Sequence, residues 1–140
     1  MEELMSSARV IDQLEVIHTY SRADAIADGV LHDVTELAAE QGIRYPVAIA
    51  THAWDAAVAW DPAHGAMQDE TGRQWDVLTM AAMALRRARR LGLTGLQIFT
   101  VYVVPNRPGA DEPEPVNLGI SVGPGDNYEP VLTITGPADL

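Results

Sequence analysis

Apolar residues recur along the chain in two distinct rhythms, and the change falls before its last third. Trp75, Leu78, Ala82 and Leu85 follow one another at three- and four-residue steps, with Met80, Met83 and Ala84 widening the stripe. That period predicts a helix over 74–91, with Gly92 suited to its end. The segment is apolar around much of its circumference until a run of arginines begins, so it is expected as the central core helix. Residues 96–104, LQIFTVYVV, form instead a continuous β-branched and aromatic run closed by Pro105, which predicts a buried strand. Residues 106–115 are rich in proline and acid and read as an exposed connection. Two further strands are predicted over 116–122 and 131–135, joined by the turn-rich stretch Gly123 to Pro130. Loops too short for helical crossovers require the three strands to pair antiparallel, as a meander.

The first half breaks into shorter pieces. Residues 1–13 read as a lead-in, and 14–20 as a strand. Ser21 caps a short helix over 22–28 stopped by Gly29, and Val30 to Val34 returns extended. Thr35 opens a second short helix, 36–41, stopped by Gly42. Residues 43–50 are extended, with Tyr45-Pro46 favouring that geometry. Thr51 caps a helix over 52–60, and the polar stretch from Gln68 to Arg73 reads as a loop entering the long helix. The expected fold class is α+β, one domain over 1–140. Its N-terminal half is helical with one or two strands, and its central helix packs on a C-terminal three-stranded antiparallel meander.

Charge changes this picture more than composition does. The 140 residues, 47% of them apolar, are ordinary for one compact unit, but the net charge is -11 and every cation is an arginine. Residues 1–76 carry fourteen acids and four arginines, 77–110 five arginines and no acid, and 111–140 six acids and no base. Such a surface repels nucleic-acid phosphates, so direct duplex binding is not expected. Zero cysteines exclude a thiol nucleophile and any Cys-based metal site. No apolar run reaches the roughly 18 residues that span a membrane, and Met1-Glu2-Glu3 is the wrong charge for a secretory signal. A cytoplasmic protein is the expectation, with no cofactor and no membrane contact.

Four clusters could carry chemistry. Arg86, Arg87, Arg89 and Arg90 are read either as cations complementing the helix dipole and paired internally, or as a docking patch for an acidic partner. Asp69, Glu70 and Arg73 beside Trp75 could form a small recognition site; alternatively the acids start a helix and Trp75 drops into the core. His18, His32 and Asp33 offer two imidazoles and a carboxylate, a ligand set for zinc or a non-haem metal, although their spacing matches no recognised motif. Gly123-Pro124-Gly125-Asp126 joins two strands and lacks the P-loop lysine, so it reads as a turn. No Gly-x-Ser-x-Gly elbow, His-Glu-x-x-His pair or Rossmann glycine fingerprint is present.

Two resemblances add to this reading. The strand bearing His18 and Tyr20, followed by a short helix and a glycine turn, resembles the opening of ADP-ribosyltransferase-like domains. That likeness implies an NAD- or nucleotide-binding enzyme with His18 on the nicotinamide ribose and Glu129 orienting the transferred sugar. Tyr20 or Tyr128 would offer a stacking ring, with Arg22 nearby. More of the chain is covered by the second. Residues 16–31, the stretch from Gln68 to Leu78, and Gly123-Pro124-Gly125-Asp126 with Glu129-Pro130-Val131 resemble a bacterial domain family of unknown function. That family is carried by plasmids, integrative elements and phages as well as chromosomes. The likeness implies a mobile-element setting and transfers no catalytic residue. The leading expectation is therefore a small acidic accessory protein that binds a host or element-encoded protein. The apolar 74–91 helix could also bury one side against a second copy, which makes a homodimer a further expectation.

Overall fold

The structure, a computed structural model, describes residues 20–139. His18, the expected 14–20 strand and the 1–13 lead-in lie outside them, apart from Tyr20 itself. Four helices and five strands follow: α1 (Arg22–Ala27), β1 (Leu31–Asp33), α2 (Thr35–Glu40), β2 (Val47–Ala50), α3 (Thr51–Ala57), α4 (Glu70–Leu91), β3 (Gln97–Val103), β4 (Glu114–Pro124) and β5 (Pro130–Thr135). Short 3₁₀ turns occupy Pro62–His64 and Pro137–Asp139. The architecture is α+β.

The C-terminal strands form the antiparallel meander, but they belong to one five-stranded sheet of order β1-β2-β5-β4-β3. β1 and β2 pair antiparallel, and β2 joins β5 in parallel, setting Val47 against Leu132 and Ile49 against Ile134. The strand formed last in sequence thus lies in the middle. Alternation fixes which face is buried. Phe99, Val101 and Val103 of β3, Leu118 and Ile120 of β4, and Leu132 and Ile134 of β5 face one core with Val47 and Ile49. Their neighbours Ile98 and Tyr102 point to the other face and are exposed.

α4 covers the core face and lies along β3. Its buried positions are Arg73, Val77, Leu78, Ala81, Ala82 and Ala88, so small residues at the contact let helix and sheet approach closely. The helix begins at Glu70, four residues before the expected start, because the Asp69 carboxylate accepts from the Gly72 amide at 2.6 Å and caps it. The longer helix presents a slightly different stripe to the sheet. Trp75, expected in the core, is 40% exposed. α3 is likewise corrected: Thr51 is its first residue and its hydroxyl donates to the carbonyls of Gly29 and Val30 rather than capping. The helix stops at Ala57, so Trp60 lies beyond it. Ser21 does cap α1, accepting from the Asp24 amide at 2.9 Å.

Candidate functional site

The arginines of α4 stand out once the fold is drawn. The residues Arg86, Arg87, Arg89 and Arg90 are all exposed, as is Arg44 in the segment between α2 and β2. Among the described residues none of the five forms a salt bridge, since the ion pairs join His64 to Asp61 and Arg107 to Glu114. Helical spacing divides the cluster. Arg89 looks towards the α2–β2 connection, Arg87 and Arg90 border β3, and Arg86 lines the space on both sides.

An open cleft of about 600 Å³ lies where Arg86 and Arg89 meet that connection. Gly42, at φ +84°, ends α2 in the left-handed conformation, and the Ile43 amide donates to Ala38 O at 3.1 Å. Ile43 is buried, so it anchors the segment while Arg44 and Tyr45 remain outside. Pro46 then leads the chain into β2. Arg86 Nη2 donates to the Gln41 carbonyl at 3.2 Å, which fixes one wall. Leu85, Val122, Pro130 and Leu132 form an apolar floor, and among the described residues no carboxylate lines the cleft. The result is three guanidinium groups and a phenol ring around an apolar surface. Guanidinium forks bind carboxylates in bidentate fashion, so the chemistry favours an anionic ligand with apolar body. Neither Arg44 nor Tyr45 was singled out by sequence; the signal was a polar pair directly after a helix stop and a single apolar anchor.

The second expected group is dispersed into the fold. Asp69 caps α4, and Glu70 accepts from the Trp60 amide at 3.3 Å. Arg73, expected on the surface, is 2% exposed. Its Nε donates to Val58 O at 2.9 Å, and its Nη1 to Val104 O at 2.7 Å and Gln68 Oε1 at 3.3 Å. The guanidinium lies over the Trp60 ring, 5.0 Å from its centre. Burial lowers its pKa, partly offset by Asp76 and Glu70. This arginine ties two loops to a helix and is no recognition surface.

The remaining candidates are engaged internally. His32 stacks on Trp54, ring centres 4.1 Å apart, and Asp33 accepts from the Thr35 amide and hydroxyl. Among the described residues no three His, Asp or Glu side chains are grouped to hold a metal ion. Tyr20 donates to the Asp28 carboxylate, and that hydrogen bond pushes the phenol pKa up to about 12. Arg22 is brought near Glu129, Asp126 and Asp33, whose charges oppose the lowering of its pKa by burial. Its guanidinium donates to Thr133 Oγ1 at 2.9 Å and Leu132 O at 2.7 Å. Asp126 accepts from the Arg22 and Ala23 amides at 2.8 and 3.0 Å, while Glu129 accepts from the Asn127 amide at 2.9 Å. These groups pin the β4–β5 loop to α1, and Tyr128 is exposed at its tip.

No helix among the described residues is long and apolar enough to cross a membrane. No curated protein and no solved structure matches the chain. A family model does match, over residues 8–140: the chain belongs to a family of unknown function, DUF6573.

Proposed function

We propose that the protein is a small acidic accessory protein that binds an acidic–apolar segment of a host- or element-encoded protein in the cleft formed by Arg44, Arg86 and Arg89. One observation carries the reading. In a chain of net charge -11, three exposed arginines without an ion pair among the described residues surround an apolar floor. Cations held close together repel one another, and an anionic ligand relieves that repulsion. The rest of the acidic surface disfavours a phosphate backbone, so a short protein segment with carboxylates flanking an aliphatic or aromatic anchor fits better than nucleic acid. The bacterial, mobile-element or phage setting is drawn from the likeness of three sequence blocks to domains carried on such elements. Work in the cytoplasm, on a host factor or defence component, belongs to the same proposal.

The test uses a fluorescein-labelled peptide of alternating glutamate and leucine, read by anisotropy. Binding is expected to weaken about tenfold or more in the double variant Arg86→Glu/Arg89→Glu, and to fall with added salt. Arg87→Glu is expected to stay within about twofold of the parent because it faces away from the cleft. No binding, equal loss in both variants, or tighter binding of a thymidine oligonucleotide would overturn the reading.

A further inference from the structure

β3 is the outer strand of the sheet, and among the described strands it pairs only with β4. Its seven residues, QIFTVYV, carry no charge and no proline. Proteins ordinarily blunt such an edge with charges, prolines or bulges, because its unpaired amides and carbonyls invite another strand. Over this edge stands α4, which lies along β3 itself. A helix with its side chains is about 10–12 Å wide, against about 4.8 Å between neighbouring strands. The outer flank of α4 therefore reaches past β3 by about one strand spacing. Met80, Met83, Arg87 and Arg90 follow one another on that flank at steps of three, four and three residues. With Ile98 and Phe99 they line a groove of about 440 Å³.

The groove is charged at one end only. Residues 92–96 turn the chain back, so β3 starts beside the last turns of α4, where Arg87 and Arg90 stand. The two methionines lie farther along the strand. Among the described residues neither arginine forms an ion pair, and no carboxylate lines the groove. We infer that the β3 edge and this flank of α4 take the C-terminal tail of a partner protein, bound as an added antiparallel strand with its terminal carboxylate on Arg87 and Arg90.

The walls dictate each part of that occupant. β3 with β4 and β4 with β5 pair antiparallel, and a further strand in the same sense ends where β3 begins. A free carboxylate arrives at that end with no extra side chain, in reach of guanidinium forks that bind it in bidentate fashion. Side chains on one face of the added strand lie under Met80 and Met83. Those on the other lie beside Ile98 and Tyr102, which are 61% and 66% exposed. Both faces are apolar, so the tail carries apolar residues at consecutive positions. A segment alternating acid and apolar residues, as proposed for the other side of α4, would set its acids against one of these faces and does not fit. A second copy joined edge to edge, with its helix on the same side, does not fit either. Two such helices would lie about 5 Å apart, inside the 8–10 Å or so at which helices pack. A single strand meets no such obstacle.

The probe is a fluorescein-labelled peptide ending Val-Tyr-Val-Ile with a free carboxylate, read by anisotropy on the intact chain. Amidating its C-terminus, or making the double variant Arg87→Glu/Arg90→Glu, is expected to weaken binding about tenfold or more. Both arginines are exposed, so circular dichroism of the variant should match the parent. Strand addition uses the amides of alternate residues. N-methylation of one alternate set should abolish binding, while methylation of the other should leave it within about threefold. Arg89→Glu, in the cleft on the other side of the helix, should change binding by no more than about twofold, so either reading can fail alone. No binding, equal effects of the two methylated sets, or undiminished binding of the amidated peptide overturns the inference. A dimer of twice 15.1 kDa that excludes the peptide overturns it as well, because a second copy then covers the edge.

Discussion

The two ends of α4 use the same side chain in opposite ways. Near the first turn, Arg73 is enclosed, and its Nε and Nη1 donate to the carbonyls of Val58 and Val104. In the last two turns, Arg86, Arg87, Arg89 and Arg90 stand in solvent. What differs is the backbone brought alongside. Two loops converge on the start of the helix and expose carbonyls that need donors, whereas among the described residues the far end borders the α2–β2 connection, the outer strand β3 and an open cleft. An arginine is part of the fold where distant carbonyls lack partners, and stays at the surface where they do not.

Substitutions can break or sharpen this contrast. Arg73→Ala should be the most damaging, costing about 3–5 kcal/mol in urea unfolding, because it removes a buried group and strands two carbonyls. A loss below about 1 kcal/mol would place Arg73 with the exposed arginines and erase the distinction. Asp69→Ala, which removes the cap at the same end, should cost about 1 kcal/mol by the same measurement. At the other end, Arg89→Gln should cost no more than a few tenths of a kcal/mol, the favourable interaction of an exposed cation with the helix terminus. If Arg89→Gln proves as costly as Asp69→Ala, the basic end has a structural duty that its exposure conceals.

Local signals in the sequence were readable and long-range ones were not. The β3–β5 meander, the Ser21 cap and the end of α4 at Gly92 followed from short-range chemistry, and the structure keeps them. Gly92 adopts φ +68°, the left-handed turn expected there, and the Leu93 amide closes it onto Ala88 O at 2.8 Å. The burial of Arg73 was hidden because its acceptors lie 15 and 31 residues away. The start of α4 was misread because Thr71-Gly72 resembles a loop until Asp69 is recognised as a cap. Parallel pairing of β2 with β5 leaves no trace in periodicity at all. The cleft was half legible: the arginines of α4 were visible as a cluster, while Arg44 and Tyr45 depend on where α2 ends.

The central place of β5 has a consequence for how the molecule comes to be. During synthesis from the N-terminus, β1 with β2 and β3 with β4 can each meet early, yet neither pair touches the other. Two-stranded units are marginal in water, so each waits with its apolar face uncovered. Only when residues 130–135 slot between them does the sheet become continuous. Such non-local closure slows folding and leaves strand edges open to wrong pairing meanwhile.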